Sequence, residues 1–273
     1  MAIQLDRKQC EFITDVGLIT FPKVFPGQAE PSAEGSTTQA YKTEHVTPTC
    51  SQSLISAVSY VASMFDSKQI NPATGRPIWE RHVFGPLGRL KKLEEMAGRD
   101  PAKYPYAVGK YVYNLSKPVS LKMIKMEGKN LADPVVRAEY DKRINEAAPK
   151  VVKFLDRYNP VDLDWVQQEN QTRAFRNLPP ISEETMHQIT RPLRSDELWA
   201  GCNVRIAGRA YWNEHKKTVS LFLEQIMLVS QGERLAGGEA SPDQVFGAFA
   251  PAADLAPVSA GQSQQDDPWA AMR

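Results

Sequence analysis

Two hydrophobic periods alternate along the chain. The run VGLITFPKVF, from Val16 to Phe25, is largely apolar, holds Pro22, and is followed by the polar loop GQAEPSAEGSTTQ. Proline cannot donate to a ladder, so the run predicts an edge or bulged strand and then a long turn, with Tyr41 to Thr47 as a partner strand. After Pro48 the period changes: Leu54, Val58, Val61 and Phe65 form one stripe of an amphipathic helix that starts near Ser51. Leu87, Leu90, Leu93 and Met96 predict a second short helix, with Pro86 in its first turn and Gly98 at its stop. A third opens at Asp133 and Pro134, carries the stripe Val136, Tyr140, Ile144 and Ala147, and is interrupted by Pro149. From Asn159 to Pro192 the chain is polar and punctuated by NPVD, LPPIS and RPL, which predicts loops and at most short helices.

Two further segments read as strands. Between Val108 and Lys117, alternation puts Tyr111, Tyr113 and Leu115 on one face, a set able to line a core, and Lys110, Val112 and Asn114 on the other. Between Cys202 and Trp212, the residues Cys202, Val204, Ile206, Ala210 and Trp212 share one face, and Asn203, Arg205, Arg209 and Tyr211 the opposite one. Two guanidiniums and a phenol on a solvent face have no packing purpose of their own. After the turn Asn213 to Lys217, TVSLFLEQIMLV returns as a largely apolar strand, so 202–229 predicts a β-hairpin. The helices then become insertions around a β core, giving a mainly β protein with helical insertions.

Composition changes this picture little, but charge placement changes it substantially. The chain has 273 residues, 42% of them hydrophobic and 24% charged, and a formal net charge of +1, as an ordinary globular chain does. Three scattered cysteines, Cys10, Cys50 and Cys202, make no disulfide framework and no CxxC metal site. Asp6, Arg7 and Lys8 stand where a signal peptide needs an apolar run, and no stretch of about 18 apolar residues occurs. The expected location is therefore cytoplasmic, with no membrane partner. From Glu239 onward the chain is rich in Ala, Pro, Gln and Ser without a period, which predicts a disordered tail. Its acids Glu239, Asp243, Asp254, Asp266 and Asp267 stand against Arg273 alone, a net of −4, which leaves +5 on residues 1–238. Residues 81–129 by themselves carry +7. A basic body with an acidic tail is hidden inside near-neutrality.

Common catalytic signatures are absent: the chain has no GxxxxGK[ST], GxGxxG, HExxH or GxSxG. Its four histidines, His45, His82, His187 and His215, have no Cys or His at ligand spacing. Asp156, Asp162 and Asp164 would make a Mg²⁺ nuclease site only if they converged, and turn or cap roles beside Asn159 and Pro160 account for them more simply. The positive signal is cations and aromatics on strands. Single-stranded nucleic acid is held by cations along its phosphates and by aromatic faces under its bases. Arg205, Arg209 and Tyr211, beside the Lys/Tyr-rich segment 103–125, supply both.

The stretch DELWAGCNVRIAGRAYW followed by KTVSLFLEQIMLVSQGERLAGG resembles the closing hairpin of phage-encoded single-stranded DNA-binding proteins with an OB-fold. LITFPKVF and KYPYAVGKYVYNLSKP are weaker matches to the same family. The resemblance implies a five-stranded OB-like barrel over residues 1–238, elaborated by helical insertions at about 48–100 and 130–195, and a flexible acidic tail over 239–273. It implies a non-enzymatic protein that binds single-stranded DNA without sequence preference during phage replication or recombination, in the host cytoplasm and with no cofactor or metal. Expected phosphate contacts are Lys110, Lys122, Lys125, Arg205, Arg209, Lys216 and Lys217, and expected stacking residues are Tyr111, Tyr113, Tyr211 and Trp212, with Phe21 and Lys23 at the groove's edge. Asp266, Asp267 and Trp269 would recruit phage or host replication proteins, such as a polymerase or helicase/primase, or occupy the basic groove until DNA displaces them. A strand-annealing recombination protein would share the basic surface, and the Mg²⁺ nuclease is the third alternative.

Overall fold

The computed structural model describes residues 4–65, 70 and 111–235, all within the unit Met1–Ala236. The helix expected at 87–96, Lys110, and the tail with Asp266, Asp267 and Trp269 lie outside the described residues. In chain order the elements are α1 (Arg7–Cys10), β1 (Glu11–Ile13), β2 (Gly17–Ile19), β3 (Glu30–Pro31), β4 (Gln39–Thr47) and α2 (Gln52–Met64). They continue with β5 (Tyr111–Val119), α3 (Pro134–Glu146), β6 (Lys150–Phe154), α4 (Pro160–Phe175), α5 (Glu183–Met186), β7 (Thr190–Pro192), β8 (Asn203–Asn213) and β9 (Thr218–Ser230).

Strand pairing closes a barrel. β8, β2, β4, β5 and β9 are each bonded to the next, and β9 pairs back onto β8. Only the β5–β9 pair within this ring is parallel. Counted along the five barrel strands, the order is first, second, third, fifth, fourth and back to first, which is the Greek-key closure of the OB barrel. β1, β3 and the β6–β7 pair extend the ring from outside.

Alternation fills the interior. Tyr113 and Leu115 of β5, Val204, Ile206 and Ala210 of β8, and Val219, Leu221, Leu223 and Ile226 of β9 are all buried. Each such aliphatic side chain contributes about 1.5–3 kcal/mol relative to exposure. The Ser51 hydroxyl caps α2 by accepting from the Leu54 amide at 3.3 Å, and Leu54, Ala57, Val58 and Val61 join the same core. α3 starts at its Asp133 cap and packs Tyr140 and Ile144 with Tyr41 and Met126 in a second cluster.

Two expectations are corrected. β2 is not an edge strand, since it lies between β8 and β4, but the bulge expected at Pro22 is present: beyond Ile19 the chain pairs with β4 again at Lys23 and Lys42, one residue out of register. Residues 160–175 are not loop but the 16-residue helix α4. Asn159 caps it, its side chain accepting from the Val161 amide at 3.0 Å, and Pro160 occupies the first turn, where no amide partner is needed. A narrow contact suffices to hold it: Val166 and half-buried Trp165 cluster with Leu155, Ile181 and Met186.

Register slips twice in the β8–β9 hairpin. Ala207 faces Gln225 and Gly208 faces Leu223, so Glu224 is an extra residue, and Val229 is extra in the same way between Leu228 and Ser230. Such bulges re-aim side chains. Here Glu224 and Gln225 both turn outward between the inward Leu223 and Ile226.

Candidate functional site

With one set of alternate residues committed to the barrel interior, the other set makes its outer face. Lys42 and Glu44 of β4 pair in register with Ser116 and Asn114 of β5. Ser220 and Phe222 of β9 face Tyr211 and Arg209 of β8. Over this face runs a groove of ≈ 300 Å³ lined by Phe21, Lys42, Glu44, Asn114, Ser116, Tyr211, Asn213, Lys216 and Ser220. One wall comes from the loop between β2 and β4, through Phe21. The other comes from the β8–β9 turn, where the Lys216 amide donates to Asn213 Oδ1 at 3.0 Å.

The groove's polar groups are held in place from behind. Lys42 Nζ donates to the Pro31 carbonyl at 2.9 Å, and Thr20 Oγ1 donates to Glu44 Oε2 at 3.2 Å. Lys23 pairs with Glu30 and lies 5.1 Å above the Phe21 ring, so it positions that ring while its charge is balanced. Tyr211 meets Phe222 edge-on, with ring centroids 6.2 Å apart, and the Arg209 guanidinium lies 5.3 Å from the centroid of the same ring. Tyr211, Phe222 and Arg209 thus extend the groove along the outer face of the hairpin.

The expected site residues fall into three groups. Tyr211, Lys216 and Phe21 come together in the groove, with Arg209 beside it. Arg205 also points outward but lies four residues, about 13 Å, further along β8. There it lines a separate cleft of ≈ 450 Å³ with Lys153, Phe154, Asp156, Glu197 and Met227. Lys122 and Lys125 are exposed in the turn after β5, where Ile124 and Met126 hold that turn on the α3 cluster, away from the groove. Lys217 has a left-handed backbone, φ 48°, and pairs with Glu214 at 2.8 Å.

One aromatic assignment is corrected, and two further rings are partly covered. Tyr113 is fully buried, and burial pushes its phenol well above the ordinary range. Tyr111 lies half-buried against the same core, its ring 6.3 Å from that of Tyr113. Trp212 stacks on Phe65 of the α2 C-terminus, centroids 4.9 Å apart and planes 4° from parallel. Tyr113 is thus closed off inside the barrel, where a large ring gains most by burial, and Phe65 covers one face of Trp212. Phe222, Lys42, Asn114 and Ser116 were missed. Reading TVSLFLEQ by twos places Ser220, Phe222 and Glu224 opposite Val219, Leu221 and Leu223, and the same step through YKTEHVT exposes Lys42.

The three aspartates do not make a metal site. Asp162 is fully buried; its Oδ1 accepts from Arg191 Nε at 2.6 Å, and its Oδ2 from Lys153 Nζ at 2.7 Å and the Asp156 amide at 2.9 Å. Burial alone would raise its pKa, but the hydrogen bonds from Lys153 and Arg191 outweigh it and hold the carboxyl below the usual range. Arg191, itself buried, also donates to Glu197 Oε2 at 2.8 Å. These acids anchor α4 to β6 and β7. Among the described residues, no group of three or more His, Cys, Asp or Glu is placed to hold a metal ion. No described helix is long and apolar enough to cross a membrane.

Strand order and groove together define an OB barrel with a cationic and aromatic outer face. No protein-family model matches the chain, and no curated protein does. Among solved structures, it is similar to the single-stranded DNA-binding protein from bacteriophage Enc34, at 10% identity over 88% of this chain and 91% of that one, with a TM-score of 0.38. The same Enc34 protein in complex with ssDNA matches at 10% identity over 84% and 90%, with a TM-score of 0.39. The crystal structure of gp2.5, a single-stranded DNA binding protein encoded by bacteriophage T7, matches at 12% identity over 93% and 98%, with a TM-score of 0.35.

Proposed function

We propose that this protein binds single-stranded DNA without sequence preference, along the outer face of β4, β5, β9 and β8, and has no catalytic role. The observation that carries the reading is the groove. It lies on the second and third strands of an OB barrel, between the first-to-second and fourth-to-fifth strand connections, where this fold takes oligonucleotides. Lys42, Lys216 and Arg209 supply cations for phosphates, and Phe21, Tyr211 and Phe222 supply ring faces and edges for bases. Stacking accepts any base, so the selectivity is for single strands and not for sequence.

In this reading the protein coats displaced strands in phage replication or recombination. The acidic tail, with Asp266, Asp267 and Trp269, competes with DNA for the basic face and meets replication proteins when DNA releases it. Quenching of tryptophan fluorescence by oligo(dT) at two or more salt concentrations tests the proposal. Log K should fall with log salt by about 0.7 per phosphate neutralised. Absence of binding, or binding indifferent to salt, overturns it. Truncation after Gly238 should tighten binding, most at low salt, where the Debye length is longest.

A further inference from the structure

Resting on that reading, we infer that Glu224 is a built-in competitor for the DNA phosphate: it occupies Arg209 in the free protein and must be displaced when a strand binds. Arg209 projects from the face where Tyr211 and Phe222 lie, yet its Nε donates to Glu224 Oε1 at 2.5 Å, an ion pair with the two side chains 33% and 25% exposed. Plain alternation after the inward Leu223 points Glu224 outward. Glu224 is the extra residue of the β9 bulge, facing no partner of its own on β8. It lies on the outer face with Phe222, the register partner of Arg209, and the bulge leaves it unopposed there.

Cations gather around Glu224 together with one further acid, Glu11, the β1 register partner of Arg209, which pairs with Arg7 Nε at 3.3 Å. Arg7 Nη2 lies 4.0 Å from the same Glu224 oxygen, and burial holds the Lys117 ammonium below its ordinary range, an effect that the nearby Glu224 carboxylate partly offsets. Glu11 and Glu224 are the counter-ions of this small basic cluster, and Glu224 is the one bonded to Arg209, where a phosphate would sit. A carboxylate and a phosphate oxygen are interchangeable acceptors for a guanidinium N–H. The pair is a quarter to a third exposed, enough for one anion to be exchanged for another without burying an unpaired charge. Such a carboxylate lowers affinity for DNA, and it also keeps Arg209 extended over Phe222 and ready for the strand, instead of free to wander.

The test is a cycle of Glu224→Gln, Arg209→Ala and the double variant in the full chain, with oligo(dT) titrated from about 50 to 200 mM salt. In the unaltered protein the displaced carboxylate stays beside the bound strand and offsets one phosphate contact, so removing it raises the net neutralisation by one and steepens the salt slope by about 0.7. Taken from a screened reference near 1 M, that is a gain of about eightfold in affinity at 50 mM and about threefold at 200 mM. The gain should vanish when Arg209 is already alanine. Glu224→Ser is the second acid-free variant, should the glutamine alter the bulge, and melting temperatures confirm that each variant is folded. If the unaltered protein binds while both acid-free variants bind equally or more weakly, Glu224 merely positions Arg209 and the inference fails alone. If no form binds, the functional reading fails and takes the inference with it.

Discussion

His45 makes acid sensitivity of the barrel calculable from one side chain. It points into the barrel from β4 and is fully buried, its Nε2 lying 3.2 Å from the Val204 carbonyl on β8. Gly17 of β2 clears the ring: a Cβ there would stand 2.6 Å from Nε2. Burial pushes the imidazole down from an ordinary 6.5 to about 4, more than its contacts with the Val204 and Gly17 backbone restore. Between those values the unfolded chain carries a proton at this position and the folded chain does not. Stability is therefore complete above about pH 6.5 and is lost as pH falls toward 4. At 1.36 kcal/mol per pH unit, the loss from pH 7 to pH 4.5 is about 2 kcal/mol. The contributions of Asp162 and Glu197, both held below their usual range, begin to fall at the bottom of that window, near the ordinary values of 3.8 and 4.5, and are lost as pH drops through their folded values. Urea unfolding at pH 7, 5.5 and 4.5, followed by circular dichroism, reads the slope. His45→Gln keeps a donor for Val204 but cannot titrate, so it should be less stable at pH 7 and nearly flat across the window. Parallel slopes for the two proteins would refute the argument.

Other substitutions separate the binding face from the frame. Tyr211→Ala and Phe222→Ala should each weaken oligo(dT) binding by about 1–3 kcal/mol if a base stacks there, measured by the same quenching titration. By contrast, Tyr113→Phe should leave affinity unchanged, since that ring is inside the barrel. Gly208→Ala should cost about 1–3 kcal/mol in urea unfolding, because the new methyl meets the Phe222 carbonyl and lies 2.8 Å from Phe12 Cζ. Arg191→Met leaves Asp162 buried with Lys153 as its one remaining cation, and a loss of about 3–5 kcal/mol is expected in the same assay.

The β architecture was legible wherever a local rule stood alone. Ser51 and Asp133 announced helices because a capping side chain and the stripe behind it agreed. The hairpin 203–230 was legible from two apolar runs around NEHKK, but its bulges were not. A bulge inserts one residue without changing composition, and it inverts the faces of everything beyond it. In LEQI the two successive polar residues between Leu223 and Ile226 are its trace, visible once the inward positions are known. α4 was hidden for a different reason: its proline marks a start, and the same residue type elsewhere in that segment marks loops. The closure of the ring depends on the parallel β5–β9 pair, whose register involves residues more than a hundred positions apart and has no local signature.

Charge was the least legible property, because counting cations does not say which of them are engaged. Lys23, Lys153, Arg191, Arg209 and Lys217 all hold carboxylates, so the basic excess of the sequence is only partly available at the surface. Arg205 and Arg209, equal by alternation, differ by this criterion. Arg209 is paired beside the groove, whereas Arg205 has no carboxylate partner among the described residues and faces another cleft. A strand held only at the groove draws on Lys42, Lys216 and, after displacement of Glu224, Arg209. Two or three neutralised phosphates give a salt slope of about −1.4 to −2. A path continuing along β8 to Arg205 would steepen it further. The slope measured for the unaltered protein, and its change in Arg205→Ala, therefore reads the length of the DNA path directly from the charges that the fold leaves free.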